Sequence, residues 1–216
     1  MGGMGGWRKG ARLTAGLVAG LACGALVLQY VLLLRAAPDG AALATIRFFS
    51  YFTILGNTLV ALACITVALG RDMAWMARPR ALGAVALYIA IVGIVYFTVL
   101  RPLWQPQGAQ WLADAALHYA VPLAYLAWWT WAVPHRCLSW ADLAWWLPFP
   151  LAYLAWALWR GSWAGEYPYP FIDVAALGIG TVLRNALAVT AGFIAFGALL
   201  VWLDRHWPRH GDIRPG

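Results

Sequence analysis

Residues 13–34, LTAGLVAGLACGALVLQYVLLL, run for 22 positions without a charge, directly after Arg8, Lys9 and Arg12. At a rise of ~1.5 Å per residue an α-helix of this length crosses the ~30 Å hydrocarbon core of a bilayer. A basic flank before an apolar run also opens a secretory signal, but there the apolar part holds only about 7–15 residues and ends at a small-residue cleavage site. This run is longer and carries no convincing site of that kind. It is expected to remain as the first membrane helix.

Outward from it, five further runs meet or approach the same length: residues 48–69, 81–100, 112–132, 140–158 and 181–203. The breaks between them, at 35–47, 70–80, 101–111, 133–139 and 159–180, hold charges, prolines or both and leave no room for a second domain. The expected architecture is one all-α membrane domain over residues 1–216, a helix bundle of about six spans. Composition agrees: 63% of residues are hydrophobic and 11% charged. A soluble domain carries about a quarter charged residues, and this chain has too few to cover its own surface. Many of the 15 tryptophans lie near the ends of apolar runs, the headgroup level that indole rings favour. The fifth run is the weakest, because Pro148 and Pro150 interrupt it. A kinked span or a re-entrant segment fits there.

The net charge of +7 does not point to nucleic acid, because the basic residues sit in short loops and form no groove. They set orientation instead. With the N-terminus inside, the inner segments hold Arg8, Lys9, Arg12, Arg71, Arg78, Arg80, Arg136, Arg205, Arg209 and Arg214, against Arg35, Arg47, Arg101 and Arg160 outside. Ten against four gives both termini on the cytoplasmic side of an inner membrane. The three cysteines, Cys23, Cys64 and Cys137, form no disulfide framework. Gly16, Gly20 and Gly24, at four-residue spacing, read as a close helix contact.

Polar side chains in lipid are costly and therefore informative. Ser50, Thr53 and Asn57 follow i, i+3, i+7 in the second run, Asp114 and His118 follow i, i+4 in the fourth, and Thr181, Arg184 and Asn185 open the sixth. Each set shares one helix face. All three runs start at the outer surface, so these groups belong to the outer half of the membrane and can converge in a cavity opening outward or to the outer leaflet. Blander roles exist for each: a hydroxyl bonding its own i−4 carbonyl, a solvated Asp114, a snorkelling Arg184. A histidine within a span is harder to dismiss. No cofactor is expected: a bis-histidine haem needs two membrane histidines, and His135, His206 and His210 lie on the inner side, away from His118. His206 and His210 read as a solvated tail. No Gly-rich phosphate loop occurs.

Three segments carry a family likeness: Arg47-Phe48-Phe49-Ser50-Tyr51-Phe52-Thr53-Ile54-Leu55-Gly56-Asn57, Leu117-His118-Tyr119-Ala120-Val121-Pro122, and Tyr169-Pro170-Phe171 after Trp163. In this order the chain resembles the bacterial branch of the androgen-induced and androgen-dependent membrane hydrolase family. The resemblance implies a threonine hydrolase that cleaves fatty-acid esters of hydroxy fatty acids with a Thr and a His inside the membrane. The His falls on His118. The Thr falls on Ser50, where the preceding aromatic pair matches, with Thr53 as the competing register.

On the residues themselves, a hydroxyl needs an adjacent base to become a nucleophile. His118 is expected to supply it, Asp114 to orient the imidazole, and Arg184 or Asn57 to stabilise the oxyanion. The segment through Tyr169 and Phe171 caps the site or anchors the interface. The expected partners are membrane lipid and a lipophilic ester. A small transporter or sensor, and a structural membrane protein without catalysis, are the rival classes. The sequence assigns no oligomeric state.

Overall fold

The computed structural model describes residues 7–38 and 40–208, and every regular element among them is helical. Arg209, His210 and Arg214 lie outside the described residues. Helix α1 (Lys9–Arg35) begins inside the basic flank and continues through the whole first apolar run. Its buried face is Ala11, Ala15, Val18, Ala19, Ala22 and Ala25, a stripe of small side chains at helical spacing. The expected glycine contact is therefore an alanine contact. A β-carbon on Gly20 or Gly24 would meet nothing, and one on Gly16 would only touch Ala68.

The second run does not form one straight span. Helix α2 (Ala41–Phe49) and helix α3 (Phe52–Ala68) meet at an angle of 78°. Ser50 and Tyr51 form the corner, with Tyr51 extended at φ −94°, ψ 128°. A corner inside an apolar environment exposes backbone groups that need partners. The Tyr153 hydroxyl donates to the Ser50 carbonyl at 2.9 Å, and the Thr53 amide donates to the Tyr169 hydroxyl at 3.2 Å.

Helix α4 (Pro79–Val95) starts on a proline, which the first helical position accepts without loss. It runs on through a π turn (Tyr96–Leu100) and a 3-10 turn (Arg101–Leu103). Helix α5 (Gly108–Ala115), a second π turn (Ala116–Ala120) and helix α6 (Val121–Ala132) follow as one helical path. Each π turn ends just before a proline, Pro102 or Pro122. Proline has no N–H for the carbonyl four residues back, here that of Thr98 or His118, and the ladder widens there. Helix α7 (Asp142–Trp146) and helix α8 (Pro148–Ala164) are separate. Pro148 and Pro150 stand in the first turn of α8, where no intrahelical donor is missing. They open α8, and Leu147 separates it from α7 within the run 140–158. After the short helix α9 (Val174–Leu177), helix α10 (Ile179–Arg205) closes the bundle.

Among the described residues three helical segments are long and apolar enough to cross a membrane, at residues Lys9–Arg35, Pro79–Leu103 and Ile179–Arg205, and the bent α2–α3 pair makes a fourth if it is one broken span. Their outward faces carry large apolar side chains, such as Leu13 at 68% and Leu187 at 71% exposed. Such faces suit lipid and not water, so the chain reads as a membrane protein. The centre of the bundle is α4: 61% of its apolar window is buried inside the protein, against 22% for α1 and 28% for α10. It contacts α3, α6 and α10, while α1 lies along α3 and α6.

Candidate active site at one end of the bundle

The cluster of polar groups forms where the first turn of α3, both π turns and the loop before α9 come together. Thr53 is the second residue of α3, next to the corner. Its Oγ1 lies 3.3 Å from His118 Nε2 and 3.3 Å from the Tyr169 hydroxyl. His118 lies within the second π turn. Its Nδ1 is 3.0 Å from the Asp114 carbonyl oxygen and 3.3 Å from Asp114 Oδ1. Both neighbours of Nδ1 are acceptors, so Nδ1 carries the proton and Nε2 presents its lone pair to Thr53.

Two residues that sequence reasoning missed hold this chain in place. Tyr96, the first residue of the other π turn, donates its hydroxyl to Asp114 Oδ2 and stacks on the His118 ring, with centroids 3.9 Å apart and planes 17° apart. Tyr153 binds the corner carbonyl from α8. No local signal marks either: both are aromatic residues in apolar runs, and only the packing of α4 on α6 and of α8 on α3 gives their hydroxyls a partner.

The other expected residues divide. Asn57 points at the site but spends its amide on two carbonyls, Thr53 at 2.8 Å and Leu117 at 3.2 Å. It ties α3 to the His118 turn and has no N–H left for an oxyanion. Ser50 is fully buried, and its hydroxyl donates to its own i−4 carbonyl, Ile46, at 2.7 Å. Because of the corner it lies on α2's axis, and the face it was expected to share with Thr53 and Asn57 does not exist. Arg184 is exposed on α10 and lines neither cavity described below. Phe171 stacks on Tyr169 with centroids 5.3 Å apart.

Tyr169 is positioned by a charged clamp. Glu166 takes Arg47 Nε at 2.9 Å and Arg160 Nη2 at 3.1 Å on one oxygen, and its carbonyl accepts from Arg160 Nη1 at 3.0 Å. Burial alone would raise the Glu166 pKa, but the two guanidinium groups outweigh it and hold the carboxylate below its ordinary value. This fastens the end of α2 to the loop that carries Tyr169. Burial lifts the Tyr169 phenol above its usual value, against the lowering effect of its bonds to Thr53. It stays a neutral donor at working pH.

A cavity of about 460 Å³ opens over the cluster, lined among others by Tyr51, Thr53, Tyr96, Asp114, His118 and Tyr169. Gln110 donates to Gln29 at 2.8 Å on its rim, linking α5 to α1. Among the described residues no group of three or more His, Cys, Asp or Glu side chains is arranged to hold a metal ion. The chain matches no known family model, no curated protein and no solved structure.

Proposed function

We propose that this protein is a membrane-embedded hydrolase of lipophilic esters, with Thr53 as nucleophile, His118 as base and Asp114 orienting the imidazole. The observation that carries the proposal is the unbroken sequence of contacts from Thr53 Oγ1 through His118 Nε2 and Nδ1 to Asp114. It has the order of a nucleophile–base–carboxylate triad. The Thr–His distance of 3.3 Å is at the loose end of hydrogen-bond reach, as is common without a ligand.

In this reading His118 Nε2 takes the Thr53 proton while Oγ1 bonds to the ester carbonyl carbon. The tetrahedral intermediate collapses, the carbon–oxygen bond to the alcohol breaks, and Nε2–H protonates the departing oxygen. Water then attacks the acyl-threonine, gives its proton to Nε2, and releases the carboxylic acid as Thr53 regains its hydrogen. The Tyr169 hydroxyl, next to Thr53, and the positive N-terminal end of α3 suit the developing oxyanion. Tyr96, flat against His118, favours the transient imidazolium through its ring face. A carrier would need the polar route to continue through the bundle. Deeper in α3, Thr58 and Thr66 bond only their own i−4 carbonyls.

The finer topology belongs to the same proposal. We take the bent pair, the helical path over residues 108–132 and α7–α8 as the remaining crossings of a six-span bundle in a bacterial inner membrane. Both termini are inside, and the site faces the outer leaflet. The likeness to the androgen-induced and androgen-dependent hydrolases enters on the same footing, with Thr53 and His118 as the counterparts of that family's pair.

The test uses a fluorophosphonate probe and a p-nitrophenyl ester on the full-length protein in membranes. Thr53→Ala and His118→Ala should each lose labelling and turnover, while Ser50→Ala keeps both. Undiminished labelling in Thr53→Ala would remove the catalytic reading.

A further inference from the structure

Thr53 stands between two cavities. The larger one contains His118. On the other side of Thr53 lies a narrow cavity of about 80 Å³ between α4, α8 and α10, with Phe52, Val92, Leu154, Ala186 and Phe193 in its wall. Thr53 and Tyr169 line both cavities. The wall of the narrow one is almost wholly apolar, with Thr190 the one polar side chain away from the Thr53 end. Such a space stays dry. It follows α8 from Leu147 to Leu154 and α10 from Ala186 to Phe193, a depth of ~10 Å at the helical rise.

The chemistry decides which half of an ester each cavity receives. His118 must return its proton to the leaving oxygen, so the alcohol half lies on the His118 side, in the larger cavity. The acyl half stays bonded to Thr53 and extends the opposite way. We propose that the narrow slot binds the acyl chain of the substrate, and that its depth selects medium-length chains. This rests on Thr53 being the nucleophile.

The experiment fills the slot with Ala186→Phe and uses Leu187→Phe, the adjacent lipid-facing position, as control. In the full-length protein in nanodiscs, kcat/KM is measured for p-nitrophenyl acetate, octanoate and palmitate. Ala186→Phe should lower the octanoate-to-acetate ratio at least ~10-fold, the discrimination a few lost methylene contacts give, and Leu187→Phe should leave it unchanged. A ratio in Ala186→Phe equal to that of the unsubstituted protein overturns the proposal. A second measurement does not depend on turnover or on that variant folding. Octanoic acid with a terminal diazirine is photolysed in the unsubstituted protein and in Thr53→Ala. Label on slot-lining residues such as Leu154, Ala186 and Phe193 in both proteins supports the slot, and label confined to outward-facing positions such as Leu187 overturns it. Turnover that survives Thr53→Ala would sink Thr53 as the nucleophile, while the labelling pattern still decides whether the slot takes an acyl chain.

Discussion

Asp114→Asn acts on the contact chain at its far end. The amide keeps the shape of the carboxylate and removes its charge, 3.3 Å from His118 Nδ1. At that separation and an effective dielectric of about 20, a carboxylate stabilises an imidazolium by about 5 kcal/mol at most. Two features of the site reduce the loss. The Asp114 backbone carbonyl, at 3.0 Å, still accepts from Nδ1 and keeps the ring in its reactive tautomer. Tyr96 already donates to the other carboxylate oxygen and draws on part of its charge. A loss of about 3–4 kcal/mol in the transition state remains, or a ~10²–10³-fold fall in kcat. The Tyr96 hydroxyl can still donate to the amide oxygen, so thermal stability in detergent should change by no more than about 1 kcal/mol. The assay pairs ester turnover with the rate of fluorophosphonate labelling and a melting curve. Turnover within about threefold of the parent at an unchanged melting point would refute the claim that Asp114 acts through His118. A fall beyond ~10⁴-fold with the fold intact would refute the role given to the backbone carbonyl.

Tyr169→Phe keeps the stack on Phe171 and the edge contact with Tyr51 but removes the donor beside Thr53. Turnover should fall ~10²-fold or more, as for the loss of one oxyanion donor, with a modest drop in melting temperature from the uncapped Thr53 amide. Glu166 is held below its ordinary pKa of 4.5 because Arg47 and Arg160 outweigh the effect of burial. Its contribution to stability is thus fully present above the ordinary carboxylate range and is lost as pH falls through the lowered value. Melting temperatures taken from pH 7 down to pH 3 should show this acid loss, and Glu166→Gln should flatten it. Gly161→Ala would drive a β-carbon into the Tyr167 ring, which lies directly on Gly161. The loop bearing Tyr169 should shift, destabilising the protein by about 1–3 kcal/mol and raising KM more than it lowers kcat.

The sequence by itself determined the solvent of this protein and the identity of its scarce polar groups. Charge-free runs such as residues 13–34 have no soluble fold that could bury them, so the helices and their lipid-facing sides follow from composition. The i, i+4 pair Asp114 and His118 was legible because a helix puts those positions on one face whatever surrounds it, and the π turn widened that face without dispersing it. Thr53 and Asn57 were legible for the same reason. Only the tertiary structure separates Ser50 from Thr53, by putting the Thr53 hydroxyl beside His118 and the Ser50 hydroxyl on its own helix. The i, i+3 spacing assumed one helix axis, and the 78° corner after Ser50 breaks it. That corner stands because Tyr153 and Tyr169 satisfy its backbone and Glu166 holds the neighbouring Arg47, all three from elements a hundred residues away in sequence. Tyr96 meets Asp114 and His118, and Arg184 stays outside the cavity, through the way the helices pack. A one-dimensional pattern can place a residue on a face, but which neighbour that face meets is set by packing.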